Sequence, residues 1–215
     1  MNDRPLFAVL TFALASIVQV HAHTVWIEPN DAGQLVIRFA EPGDDFETSP
    51  GHLDSLSLPL AFSAATNKPV AVAVSKQSDG FLLESASSGS AVCAETVFTV
   101  RGGRKPIFYA RWQPMHTSVA EPSLTLDLVP TGQPGEVRVY FRGEPLAGVE
   151  ATVRAPDGKE ETILANEEGL LRVHPSLPGY YLLTVAHYRE PLAGYHLGRY
   201  YDQTSHNGAL TWHIR

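Results

Sequence analysis

Helical periodicity is nearly absent from this chain. Apolar and polar residues alternate in short runs rich in β-branched and aromatic types, broken by Gly, Pro, Asn and Asp. In the first half the pattern predicts strands at 24–28, 34–40, 69–75, 80–84, 94–101, 106–112 and 123–129. In the second half it predicts strands at 136–141, 149–154, 161–164, 170–174, 180–188 and 209–214. Turns such as R-G-E-P-L-A-G, A-P-D-G-K and A-N-E-E-G separate these later strands. The segment V-P-T-G-Q-P-G at 129–135 reads as a domain linker. The expected fold class is therefore all-β with two β-sandwich domains, 23–130 and 134–215. The C-terminal one is expected to be immunoglobulin-like, because about seven short strands recur at the spacing of a small antiparallel sandwich.

Residues 1–22 break this rhythm. Arg4 lies in a short polar head, 6–18 is an apolar run, and Val20-x-Ala22 suits signal-peptide cleavage. The run is too short for a comfortable membrane span and nothing later replaces it. A soluble periplasmic or secreted protein, not membrane-spanning after cleavage, is expected. Cleavage after Ala22 would make His23 the first residue, offering an α-amine and an imidazole nitrogen together. Such donors suit nickel, copper, cobalt and zinc. The competing reading is that cleavage merely stops before a histidine, a common surface residue.

Net charge is −7, which disfavours a nucleic-acid partner. The single cysteine, Cys93, excludes an intramolecular disulfide and reads as a buried, inert thiol. With so little sulfur, any metal chemistry rests on nitrogen and oxygen donors. The stretch 41–54, E-P-G-D-D-F-E-T-S-P-G-H-L-D, resists assignment to a strand. Its carboxylates, including Glu41, Asp44, Asp45, Glu47 and Asp54, either supply hard ligands or form a solvated acidic loop, and the loop reading is the plainer one.

The opening A-H-T-V-W-I-E-P resembles the mature start of a family of exported bacterial proteins associated with nickel and cobalt uptake. The pieces V-R-V-Y-F-R-G-E-P-L-A-G-V-E-A-T-V, A-N-E-E-G-L-L-R-V and L-P-G-Y-Y-L-L-T-V-A-H resemble that family's C-terminal module. The likeness covers the N-terminus and roughly the last third of the chain, a length suited to one sandwich. It implies a periplasmic metal-binding accessory to metal uptake, with Ni(II) or Co(II) as the ion, His23 as ligand and a membrane transporter as partner. The chain departs from the family in its histidine-poor middle.

Three further histidines are candidate ligands. His187 ends a strand whose alternation puts it on a face with Tyr181, Leu183 and Val185; it is equally readable as a core histidine. His196 and His206 fall in a long connection before the last strand, where functional residues concentrate. Each is also readable as an exposed loop residue. His52 and His116 carry the same ambiguity, and His174 and His213 read as structural. No His-Glu-x-x-His helix and no G-x-S-x-G occurs, so a binding protein is expected rather than an enzyme. Two alternatives stay open. One is a copper histidine-brace protein, a Cu(II) carrier or an oxygen-activating enzyme with Trp26 and Trp112 as a substrate face. The other is a metal-independent adhesion or carbohydrate-binding module.

Overall fold

A computed structural model describes residues 23–64, 69–114, 117 and 119–215. The expected signal peptide and His116 lie outside the described residues. Within them the chain is all-β, as the alternation predicts, with one turn of 3-10 helix at His52–Ser55. The first half contributes β1 (Thr24–Pro29), β2 (Gln34–Ala40), β3 (Leu60–Ser63), β4 (Val70–Val72), β5 (Val74–Gln77), β6 (Gly80–Ser87), β7 (Val92–Val97), β8 (Arg104–Gln113) and β9 (Leu126–Pro130). The second half contributes β10 (Glu136–Phe141), β11 (Glu144–Pro145), β12 (Glu150–Arg154), β13 (Glu160–Leu164), β14 (Leu170–Arg172), β15 (Gly179–Glu190), β16 (Gly194–His196), β17 (Arg199–Tyr201) and β18 (Gln203–Ile214).

An eight-stranded sheet in the order β13-β12-β15-β18-β8-β7-β3-β4 organises the molecule. A four-stranded sheet, β1-β2-β6-β5, covers one of its faces, and β10 with β9, β11 and β14 covers the other. The alternation of β7 and β8 explains the arrangement, because side chains on a strand point to opposite faces in turn. Val92, Ala94, Phe108, Ala110 and Trp112 join Ile27, Ile37 and Phe39 in one core. Cys93 and Tyr109 join Leu126, Val139, Leu183 and Trp212 in the other. A strand buried on both faces must be closed to water throughout, and Phe108–Gln113 is buried without interruption.

The segment 129–135, expected to be a linker, instead completes β9 and forms the turn of the β9–β10 hairpin. Thr131 N–H donates to Glu136 O, and Glu136 N–H donates to Gln133 O. Pro and Gly serve a tight turn as well as they serve a linker. At Gly135 (φ 70°) a Cβ would collide with the Val173 carbonyl oxygen, so the turn requires this glycine. The large sheet draws β3, β4, β7 and β8 from before this turn and β12, β13, β15 and β18 from after it. The seam is the pairing of β8 with β18, parallel over ten partnered positions from Arg104↔Gln203 to Gln113↔Trp212.

The last strand begins at Gln203, well before the expected 209. Its first turn's worth of residues, Thr204, Ser205, His206 and Asn207, is polar yet buried, so no apolar alternation announces it. Asn207 Nδ2 donates to the Ile107 and Ser205 carbonyls at 3.2 and 3.3 Å, which offsets part of the cost of burial.

A buried ion pair ties β8 to β9. Arg111 donates through Nε to Asp127 Oδ1 (2.9 Å) and through Nη2 to Oδ2 (2.6 Å), with both side chains fully inaccessible. Asp127 Oδ2 also accepts the N–H groups of Ser123 and Leu124, and Arg111 Nη2 reaches the Glu121 carbonyl. Removing one partner of such a pair leaves the other charge buried and uncompensated. Asp127→Asn should lower stability by about 3–5 kcal/mol in urea unfolding. The double replacement Arg111→Met with Asp127→Leu should recover most of that loss; a single replacement costing under about 1 kcal/mol would refute the role given to the pair.

Candidate metal centre

His23 directly precedes β1, and the pairing Thr24↔Ala40 sets it beside Glu41 at the end of β2. The acidic stretch 41–54 folds back onto the same edge. Glu47 N–H donates to the Phe39 carbonyl (2.9 Å), and Ser49 N–H donates to the Ser78 carbonyl (2.7 Å). Asp54 closes the following turn by accepting from Gly51 N–H and Ser49 Oγ and pairing with Lys76. These contacts hold its carboxyl far below the usual range, with Lys76 the largest cause. Leu53 anchors the turn in the core, completely buried, and so fixes its neighbour His52 at the surface edge.

Three donors meet there. Glu47 Oε1 lies 2.5 Å from His23 Nε2 and 3.0 Å from His52 Nδ1. One ligand atom from each of His23, Glu47 and His52 falls within 4.8 Å of the others. The two imidazoles stand edge to face, with centroids 5.0 Å apart, and both pack on Phe39. The hydrogen bonds to His52 and then to His23 lower the Glu47 pKa, against the opposing effect of burial.

This arrangement fixes tautomers. An ionised carboxylate only accepts, so both nitrogens facing Glu47 carry hydrogen. In the neutral rings the lone pairs then lie on Nδ1 of His23, 3.5 Å from Glu41 Oε1, and on Nε2 of His52. A carboxylate that orients imidazoles in this way is the usual outer support of a histidine metal site. If His23 is the first residue of the exported protein, its amine and its Nδ1 can close one chelate ring. Two imidazole nitrogens, an amine and nearby carboxylates form a donor set of intermediate softness, which suits a first-row divalent ion.

The surroundings of His23 are electrically divided. One side opens to a pocket lined by Glu41, Asp44, Asp45 and Glu47. The other side opens to a pocket of about 350 Å³ that His52 and His187 also line. Its walls are Phe39, Phe98, Pro106 and Phe108, and its polar groups come from Arg101, Arg104, Ser205 and Asn207.

The four histidines expected as ligands separate. His23 belongs to the cluster. His187 shares the second pocket with His23 and His52, although it lies outside the three-donor cluster. It is not on the core face expected from alternation. A bulge between Val185 and Tyr188 places two residues opposite Asn207, so Tyr188 takes the inward position against Phe141 and His187 turns outward at φ 59°. Its N–H is held by Asn207 Oδ1 (3.0 Å). Partial burial, Arg189 and Arg104 lower its pKa, in that order. His206 lies in β18 rather than in a loop, on the sheet face opposite Ser205 and Asn207. It is 3% exposed, and both ring nitrogens are engaged: Nδ1 with Tyr109 Oη (2.9 Å) and Nε2 with Glu190 Oε2 (2.9 Å). No lone pair is left for an ion. His196 sits on the β16–β17 hairpin opposite Arg199, apart from the cluster and the second pocket. Trp26 and Trp112, considered as a substrate face, are 6% and 1% exposed and cannot form one. Cys93 is free and buried, its thiol pushed up to about 12 mainly by burial.

Sequence reasoning did not single out Glu47 and His52 as site residues. The available signal was the long acidic stretch 41–54, which carries a histidine among its carboxylates.

No protein-family model matches the chain, and no curated protein is significantly similar to it.

The lowered Glu47 pKa makes a stability contribution that is complete above the ordinary carboxyl value of 4.5 and is lost as pH falls through the depressed folded value. In urea unfolding, Glu47→Gln should be least stable relative to the parent above about pH 5, and the gap should narrow as pH falls below that. A gap that widens on acidification would contradict this.

Proposed function

We propose that this is an exported transition-metal-binding protein that holds its ion through His23 and His52, with Glu47 setting the two rings. The carrying observation is the meeting of His23, Glu47 and His52, whose ligand atoms fall within 4.8 Å of one another, with Glu41 Oε1 3.5 Å from the other nitrogen of His23. The acidic lining on the outer side of His23 favours the approach of a cation. Resemblance at the N-terminus and in the last third of the chain favours Ni(II) or Co(II), and a role as accessory to a membrane metal transporter. Binding, rather than catalysis, is the activity proposed. No helix among the described residues is long and apolar enough to cross a membrane; transport is assigned to the membrane partner that the resemblance implies.

A second reading is copper. An α-amine, Nδ1 of a terminal histidine and Nε2 of a second histidine form the donor set of a histidine brace, and Cu(II) binds nitrogen donors more tightly than Ni(II) or Co(II) do. The two readings separate by competition: retention of copper against excess nickel, with ascorbate-driven peroxide production, favours the brace.

The test uses protein exported from its full coding sequence, with its N-terminus confirmed by mass spectrometry, titrated calorimetrically with Ni(II), Co(II), Cu(II) and Zn(II). His52→Ala should weaken binding of the preferred ion by more than about tenfold, and Glu47→Gln by about 10–100-fold. One residue added before His23 should weaken it strongly, since the amine is lost while the imidazole remains. His196→Ala should leave it unchanged. Affinity should fall on acidification, because the ligands must be deprotonated to bind. Equal affinity in parent and His52→Ala would sink the assignment.

A further inference from the structure

The second pocket beside His23 has features that the capture of a bare cation does not require. Its position follows from the sheet. Arg104, Pro106 and Phe108 alternate along one face of β8, and Ser205 and Asn207, partners of Pro106 and Phe108, alternate along the same face of β18. The pocket floor is thus built by both halves of the chain.

Two guanidinium groups stand at its rim. Arg101 and Arg104 form a cross-strand pair, each donating its N–H to the other's carbonyl at 3.0 and 3.1 Å. Gly102 and Gly103 close this hairpin at φ 57° and 73°, the two positive values that a type I′ turn demands. Neither arginine forms an ion pair with a carboxylate among the described residues, although the protein as a whole is acidic. Both side chains line the pocket, and a guanidinium presents a planar fork of donors that matches a carboxylate with charge-assisted hydrogen bonds. The rest of the wall is aromatic. Ser205, 3% exposed on the same sheet face, has a hydroxyl with no hydrogen-bond partner. The volume of about 350 Å³ lies at the small end of ligand sites.

We propose that this pocket takes a small organic acid with a flat apolar body, its carboxylate met by Arg101 and Arg104 and its ring against Phe98 and Phe108. Because His23 and His52 also line this pocket, an ion held by them shares it with the bound acid. This second clause rests on the metal-binding reading above; the pocket assignment itself does not.

Fluorosalicylate, a flat aromatic acid with a carboxylate and a neighbouring hydroxyl, is a suitable probe, followed by fluorine NMR. Metal-free protein should bind it saturably. Arg101→Ala with Arg104→Ala should weaken binding by about tenfold or more, the loss expected for charge-assisted contacts. Arg104→Lys alone should keep part of it. Both arginines are exposed turn residues, and an unchanged circular dichroism spectrum and unfolding midpoint would show that the double variant is folded. Protein loaded with Co(II) should shift and broaden the fluorine resonance far more than protein loaded with Zn(II), because the probe lies beside the paramagnetic ion. Absence of saturable binding, or equal binding by the folded double variant, overturns the pocket assignment. Arginine-dependent binding by a protein that retains no Co(II) after desalting upholds the pocket and refutes the metal reading. Retained Co(II) with no paramagnetic effect on the bound probe refutes the shared site.

Discussion

The parallel pairing of β8 with β18 is the constraint on which the rest of this structure depends. It joins residues about a hundred positions apart and makes one sheet out of strands from both halves of the chain. From Phe108 onward β8 is buried on both faces, with Phe108, Ala110 and Trp112 in the core under β1-β2-β6-β5 and Tyr109 in the core under β9-β10-β14. The register then decides everything nearby. It sets Ser205 and Asn207 beside Pro106 and Phe108 on the pocket side, and turns His206 to the other side against Tyr109. A slip of one residue would exchange these two sets. The Arg111–Asp127 pair, with its added backbone hydrogen bonds, ties the same strand to β9.

His206 and His52 show how imidazoles of one chain acquire different roles. His206 is nearly inaccessible and has a partner on each nitrogen, a phenol on one side and a carboxylate on the other. It is a structural element of the core. Burial lowers its pKa first, and the Glu190 hydrogen bond opposes that shift. His52 and His23 share one carboxylate oxygen at the edge of the sheet, and the second nitrogen of His23 faces Glu41 Oε1 at 3.5 Å. These rings stand at an accessible edge where a ligand can reach them, whereas His206 is closed in the core.

Much of the fold was legible as period-two alternation. The strands at Gln34–Ala40 and Glu136–Phe141 match the pattern at both ends. Short outer strands such as Leu60–Ser63 were missed because their apolar signal is brief. The start of β18 was illegible because its buried residues are polar and find partners only in strands distant along the chain. The bulge at His187 reversed the expected face, and nothing local in T-V-A-H-Y-R-E marks where an extra residue will be accommodated. The apparent linker at 129–135 was ambiguous in kind: turns and linkers draw on the same residues, and only the pairing of the flanking strands distinguishes them. At the site, His23 was visible from the cleavage pattern. Glu47 and His52 were visible only as members of an acidic stretch, since their meeting with His23 depends on the Glu47–Phe39 backbone contact and on the anchoring of Leu53.

The charge on the two flanks of His23 has an electrostatic corollary. Carboxylates border one approach and guanidiniums the other, so the local potential changes sign across a single imidazole ring. Such a field favours a positive charge on one side of the ring and a negative charge on the other. Added electrolyte blurs this sorting over about 10 Å at moderate ionic strength, yet leaves the short-range contacts at the ring intact.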